Sequence, residues 1–323
     1  MNVLFLNKFN DYWKEKFKHL KEEFPAVHFT ATYDPKERPA ALKAADAVVS
    51  GRITKEEIEN SPNLKVIFVP FTGINTFPIE IIRERGIVLA NTHANAPVVA
   101  EHAVALCLAL LGGIIEFHTD LKQGFWNRSI EGEDMWVSLY NRKVGIAGFG
   151  NIGQCIAKLL KPFNCHIIGF KRKPDAESSK YANEITTDLS YLIDKSEILF
   201  ITLPLNESTT DLFNKERLMK MNGKYLINVG RGGTVNEDGL YESLKQGILH
   251  GAALDVWYNY PGKKEEPVFP ANKPFWELHN VVLSPHKSSH TVKAINAMID
   301  DTFENIRIYL KTGTRGNMVK HSH

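Results

Sequence analysis

The sequence predicts an α/β protein of two doubly wound, parallel-sheet domains, one inserted into a discontinuous other. Three observations carry that expectation. Short β-branched runs alternate with longer stretches of helical period, the pattern of parallel strands covered by helices. The 323 residues exceed what one ordinary core accommodates. The last apolar helix has no strand after it, so it must return to a sheet laid down earlier.

In the first third, strands are expected at residues 3–6, 27–30, 47–50, 66–69 and 88–91. Amphipathic helices at 12–23 and 78–85 lie between them, the second stopped by Gly86. A long, largely buried helix follows at 98–111. A second alternation then places strands at 144–147, 167–170, 198–202, 225–229, 251–256 and 281–284. The closing helix, 291–311, carries Ile295, Met298, Ile299, Phe303, Ile306 and Ile308 at helical spacing. Residues 1–97 with 289–323 are expected to form one domain and 98–288 the other. The one long irregular stretch, 258–274, is rich in Pro, Gly, Lys and Glu.

Composition excludes several classes. Apolar residues are 43% and charged residues 24% of the chain, as in soluble globular proteins. A formal charge of +2 gives no bulk argument for a nucleic-acid or membrane partner. The opening run, 1–9, lacks a basic leader and a small-residue cleavage site, so it reads as a first strand. The longest apolar stretch, 98–111, contains Glu101 and His102 and is too short to span a bilayer. Cys107, Cys155 and Cys165 form an odd set without paired spacing, which points to reduced thiols and a cytoplasmic protein.

The strongest motif is Gly148-x-Gly150-x-x-Gly153, placed after the 144–147 strand and before a helix at 152–160. Such glycines allow a tight turn, backbone approach to a pyrophosphate and close helix–strand packing. The pyrophosphate then meets the positive end of the helix. The context, strand before and helix after, lifts the motif above a plain glycine turn. An NAD site places an acidic residue about 20 residues on, to hold the ribose. Here Lys171, Arg172 and Lys173 occupy that strand tip. Cations there favour the 2′-phosphate of NADP over NAD. The other reading is a solvated basic turn, with Asp175 reaching back to the ribose.

Three more segments end strands, where open α/β sheets build sites. They are Arg231 among glycines 230, 232 and 233, Asp255 in Leu254-Asp255-Val256-Trp257, and His286 in Leu283-Ser284-Pro285-His286. Singly, Arg231 reads equally well as a surface residue and His286 as a strand-end cap. Together they match what reduction of a small 2-oxo acid requires: a cation for the carboxylate, an acid for the new alkoxide and a hydride donor beside the carbon.

The runs GFGNIG, INVGRGGTVNEDGL and LDVW…SPH, with Phe71–Asn75 and Asn95–His102, resemble the D-isomer-specific 2-hydroxyacid dehydrogenase family. That family includes glyoxylate/hydroxypyruvate reductases, D-lactate and formate dehydrogenases, and phosphoglycerate dehydrogenases, many with a C-terminal regulatory extension that this sequence lacks. The resemblance implies two Rossmann-like domains, the 98–288 one binding NAD(P). It implies that Arg231 binds the substrate carboxylate, His286 is the acid/base and Asp255 holds the nicotinamide carboxamide. The backbone of Thr72, Gly73 and Ile74, with Asn95, would grip the substrate. Asn151, Ile152, Pro204, Thr209, Val229, Gly230 and Ser288 would join the three glycines, Lys171 and Arg172 around the cofactor. A homodimer through the cofactor domain is also implied, and the NADP preference favours the reductive direction.

One departure matters. Most relatives carry a glutamate shortly after the Asp255 position that pairs with the histidine. Here Tyr260 occupies that place, unless the loop aligns so that Glu266 supplies the carboxylate. A neutral hydroxyl could orient His286 but not stabilise its cation as a carboxylate does. The loss leaves a second reading open, a dinucleotide-sensing regulator of the same fold. No metal is expected: His286 and His290 have the spacing of half a zinc site, but no Cys, Asp or Glu cluster completes it. His93 and His102 either line the cleft or pack in a core or interface. Trp126 and Trp136 are candidates for a subunit contact.

Overall fold

The computed structural model describes residues 1–126, 135–175, 178–262 and 267–313. It divides into two compact units, Met1–Asn95 with the chain from His290, and Ala96–Ser289. Among the described residues, twelve strands form two sheets, and every strand pair is parallel.

The first unit holds β1 (Asn2–Phe5), β2 (His28–Ala31), β3 (Ala47–Val49), β4 (Val66–Phe68) and β5 (Val88–Ala90), in the order β2-β1-β3-β4-β5. Its strands are apolar on both sides because both sides are covered. Leu4, Val48, Ile67 and Leu89 face one layer with Leu42, Ile58 and Ile82. Val3, Phe5, Val49, Val66 and Phe68 face the other, where Trp13 and Leu20 meet Phe303 and Ile306 of the closing helix. That helix, Val292–Thr312, starts at Thr291, whose side chain accepts from the Ala294 N–H, and stops at Gly313 in the left-handed conformation. Its return to the first sheet is as the sequence leads one to expect. Its buried stripe is narrower, since Ile295 is 40% exposed while Ile299, Phe303 and Ile306 are covered.

The second unit holds β6 (Lys143–Ala147), β7 (His166–Phe170), β8 (Glu184–Thr186), β9 (Ile198–Ile201), β10 (Lys224–Asn228), β11 (Leu249–Leu254) and β12 (Val281–Leu283). The order is β12-β11-β10-β9-β6-β7-β8, so the winding reverses between β6 and β9. In such sheets ligands bind outside the carboxyl ends of the strands at the reversal. Two differences from the sequence reading have simple causes. The long helix begins at Ala96, not 98, because Pro97 is tolerated in a first turn where its missing N–H has no partner to lose. β8 goes unnoticed in the sequence because Glu-Ile-Thr is short, half-buried and at the sheet edge.

Phe303 is fully buried and stacks on Phe5 at 5.8 Å between ring centres. Phe303→Ala is expected to cost roughly 3–5 kcal/mol in urea unfolding; a loss below about 1 kcal/mol would mean that the closing helix does not anchor the first sheet.

Candidate active site

The glycine turn joins β6 to the helix Asn151–Leu160. Gly148 adopts φ +97°, and a Cβ there would sit 3.0 Å from the backbone of Thr202 and Leu203. A Cβ on Gly153 would lie 2.7 Å from the Gly148 carbonyl oxygen, so helix and strand touch there only because the side chain is absent. Around Gly150 a Cβ would meet nothing within 4 Å. Gly150 precedes the helix and offers no side chain to cap it, so among the described residues no side chain caps the first-turn N–H groups of Asn151 and Ile152. This is a cradle shaped for a bulky anion such as a pyrophosphate, and the residues present fit a dinucleotide.

At the β7 tip, the Lys171 ammonium lies 2.5 Å from Asp175 and 2.8 Å from the Ser178 hydroxyl. The hydrogen bond from Lys171 holds the Asp175 carboxyl well below its usual range. Asp175 is therefore engaged by a cation of its own turn. Arg172 is exposed, its guanidinium donating to the Ser208 hydroxyl at 3.1 Å. Beyond β9, Pro204 and Thr209 are joined directly, the Thr209 hydroxyl donating to the Pro204 carbonyl at 2.6 Å.

Beyond β10, Val229 is buried and Gly230 donates its N–H to the Asn228 side chain at 3.0 Å. The Asn228 amide in turn donates to the Arg231 carbonyl at 3.1 Å. Asn228 thus fixes the turn that presents Arg231. Burial pushes the guanidinium down from its usual pKa, with the Tyr260 phenol opposing, and it remains a cation.

Beyond β11 and β12 lies a polar network centred on Asp255. Asp255 has no exposed surface. It accepts from the Ser284 hydroxyl at 2.5 Å, the Lys287 N–H at 2.8 Å and the Ser288 N–H at 3.0 Å. Burial alone would raise its pKa, but these hydrogen bonds outweigh it and hold the carboxyl below its usual value. His286 sits on the turn so anchored, at φ +56°, a conformation uncommon for a residue with a Cβ. The Tyr260 hydroxyl lies 2.9 Å from His286 Nδ1 and accepts the Trp257 N–H at 3.2 Å. Burial raises the pKa of that phenol above its usual value, so it is neutral at pH 7. With one lone pair taken by Trp257, it can still donate to Nδ1 or accept from Nδ1–H. Glu266, the other candidate partner, lies outside the described residues, as does the 263–266 run as a whole.

A separate cluster lies within the first unit. The Thr72 hydroxyl is 2.9 Å from both the Thr92 carbonyl and the Asn95 side-chain oxygen. Asn91 donates to the Thr72 carbonyl at 2.6 Å, and Asn305 of the closing helix donates to the Asn91 carbonyl at 3.1 Å. Gly73 and Ile74 continue the same loop after β4. His93 donates its N–H to Asp301 at 3.2 Å, and burial holds its imidazole below the usual pKa despite that carboxylate.

Residues 104–288 match the family described as D-isomer specific 2-hydroxyacid dehydrogenase, NAD binding domain. The chain belongs to this family. It is 33% identical to a glyoxylate reductase of Pyrococcus furiosus over 82% of this chain and 79% of that one. It is 30% identical to glyoxylate/hydroxypyruvate reductase B of Pectobacterium carotovorum over 90% and 92%. A solved NADPH-dependent glyoxylate/hydroxypyruvate reductase from Sinorhizobium meliloti, in complex with citrate, superposes with a TM-score of 0.76 at 27% identity over 98% and 97%.

For a 2-hydroxyacid dehydrogenase, the sequence reading named the strand-tip residues and missed what holds them. Asn228 and Ser284 were not singled out as functional, although polar residues at or near strand tips were the available signal, and His102 was offered only as a cleft-lining, core or interface residue. His102 is neither core nor idle: its Nε2 lies 3.0 Å from the Ser284 hydroxyl. Because the folded Asp255 carboxyl titrates below its unfolded value of about 3.9, its stabilisation is present above that pH and disappears as pH falls through the folded value. Asp255→Asn should therefore unfold several degrees below wild type at pH 7, the gap narrowing below about pH 4. A gap that stays constant with pH would mean that the ionised carboxylate is not what the network holds.

Proposed function

We propose that this 2-hydroxyacid dehydrogenase reduces a small 2-oxo acid to the D-2-hydroxy acid with NADPH. The observation that carries the reading is the arrangement at the carboxyl edge of one parallel sheet: the glycine cradle, the Arg231 turn, and His286 on a turn anchored by Asp255. The names of the relatives support an enzyme, and nothing favours the regulator alternative.

In this reading Gly148, Gly150 and Gly153, with Asn151 and Ile152, hold the pyrophosphate. Pro204, Thr209, Val229, Gly230, Asp255 and Ser288 shape the rest of the cofactor site. The bound nicotinamide supplies the hydride. Arg231 holds the substrate carboxylate and polarises the carbonyl through a charge-assisted fork. His286 gives a proton to the alkoxide as it forms. Thr72, Gly73, Ile74 and Asn95 take the substrate-gripping role that the family resemblance implies. NADP in preference to NAD is supported by the exposed Arg172 and by the engagement of Asp175 by Lys171, so that among the described residues no free carboxylate stands at that tip to repel a phosphate. A homodimer is part of the proposal, supported by exposed Ile114, Ile115, Leu121, Phe125, Trp126 and Trp136 in the second unit. So is work in a reducing cytoplasm, supported by three free cysteines. Among the described residues no single helix is long and apolar enough to cross a membrane.

The direct test follows NADPH and NADH oxidation with glyoxylate, hydroxypyruvate and pyruvate. NADPH oxidation is expected, and Arg172→Ala should raise KM for NADPH about tenfold while sparing NADH. No oxidation with any 2-oxo acid defeats the reading, and an indifferent Arg172→Ala defeats the cofactor choice.

The Tyr260 contact makes a second prediction. Reduction needs a proton on His286, so the rate falls as pH rises through the pKa of that histidine. A carboxylate beside Nδ1 favours the cation, so Tyr260→Glu should carry the alkaline limb to higher pH. Glu266→Gln should leave kcat near wild type; a large fall would reassign the partner of His286 to Glu266.

A further inference from the structure

The buried Asp255 carboxylate is linked to the helix Ala96–Leu111 by one chain of hydrogen bonds. The Ser284 hydroxyl has a single proton, and at 2.5 Å from an ionised carboxylate that proton lies toward Asp255 Oδ1. Toward His102 the same oxygen can only accept. The 3.0 Å contact therefore assigns the His102 proton to Nε2, and the chain runs His102 Nε2–H to Ser284 O–H to Asp255. His102 Nε2 is also 3.8 Å from Asp255 Oδ1, close enough to favour the carboxylate electrostatically. Ser284 is otherwise fixed by its backbone, its N–H donating to the Leu254 carbonyl at 2.8 Å and its carbonyl accepting the Trp257 indole N–H at 2.8 Å. Its hydroxyl is then the adjustable part, and what aims it is the donor on His102.

The far end of the chain is the His286 turn. A left-handed residue bearing a Cβ persists only where its surroundings impose it. The groups that impose it here are the Lys287 and Ser288 N–H donors, both on Asp255. We propose that His102 is a positioning residue for this reaction, acting through Ser284 and Asp255 on the turn that carries His286. The proposal rests on the reductase reading for its kinetic consequence, but its structural half does not need it.

Three measurements on the full-length protein test it: amide hydrogen exchange at Lys287 and Ser288, steady-state reduction of a 2-oxo acid, and thermal unfolding. His102 is part-exposed, its side chain 32% accessible, so His102→Ala should fold with an unchanged midpoint. It should lose protection at those two amides by about tenfold. It should lower kcat by about tenfold with KM for cofactor and substrate held within about twofold, because misplacing His286 weakens the transition state more than ground-state binding. His102→Gln, which keeps an N–H donor at similar reach, should recover most of both losses. Unchanged exchange in the alanine variant overturns the proposal. So does equal impairment of the alanine and glutamine variants, or a fall in kcat that merely tracks a lower unfolding midpoint. If wild type reduces no 2-oxo acid, the reductase reading fails, and the exchange result alone decides whether His102 holds the turn.

Discussion

A carboxylate without exposed surface survives as an anion only where hydrogen bonds replace the water it has lost. Asp255 meets that condition through Ser284, Lys287 and Ser288, and the rest of the second unit's site is arranged around it. Two of the three donors are backbone groups of the turn after β12, so satisfying the charge also dictates the path of the chain there. That path takes His286 into the left-handed region and presents its ring to Tyr260. Burial, charge and backbone geometry are one constraint at this point: relaxing any of them would release the other two.

The sheet makes such an arrangement possible. With all seven strands parallel, the glycine turn, the Asn228-held Arg231 turn and the Asp255 network come out at one edge, although more than a hundred residues separate the first from the last in sequence. Each tip is tied to its neighbour by the ladder itself, the Asp255 N–H to the Asn228 carbonyl at 3.0 Å and the Ser284 N–H to the Leu254 carbonyl at 2.8 Å. Residues at successive tips thereby hold a spacing that their own loops could not keep. Rigid strands thus fix where these side chains stand, and the short turns decide which side chains they are.

The β7 tip shows how a neighbour can change the meaning of a charge. Lys171 and Arg172 look equivalent in sequence, yet Lys171 is neutralised by Asp175 four residues on, whereas Arg172 is exposed and rests on a serine hydroxyl. The acidic residue that a sequence reader would offer to a ribose is held by a cation of its own turn. Sign and number of charges were readable; their pairing was not.

Much of this protein was determined by local pattern. Short β-branched apolar runs located eleven of the twelve strands among the described residues to within one or two residues, and the spacing of glycines 148, 150 and 153 marked the turn where helix and strand approach too closely for a Cβ. Those features depend on neighbours in the chain: a continuous apolar run, a positive φ, or a missing Cβ. The start of the long helix and the edge strand β8 escaped because Pro97 masks a first turn and Glu184–Thr186 has no apolar run to announce it. Tertiary structure alone decided the partners. His102 reaches Ser284 across 182 positions, Ser284 reaches Asp255 across 29, and Tyr260 reaches His286 across 26. Nothing periodic connects such pairs. They form because separate elements pack against one sheet, and a hydrogen bond needs two groups within about 3 Å, a distance that residue order does not encode.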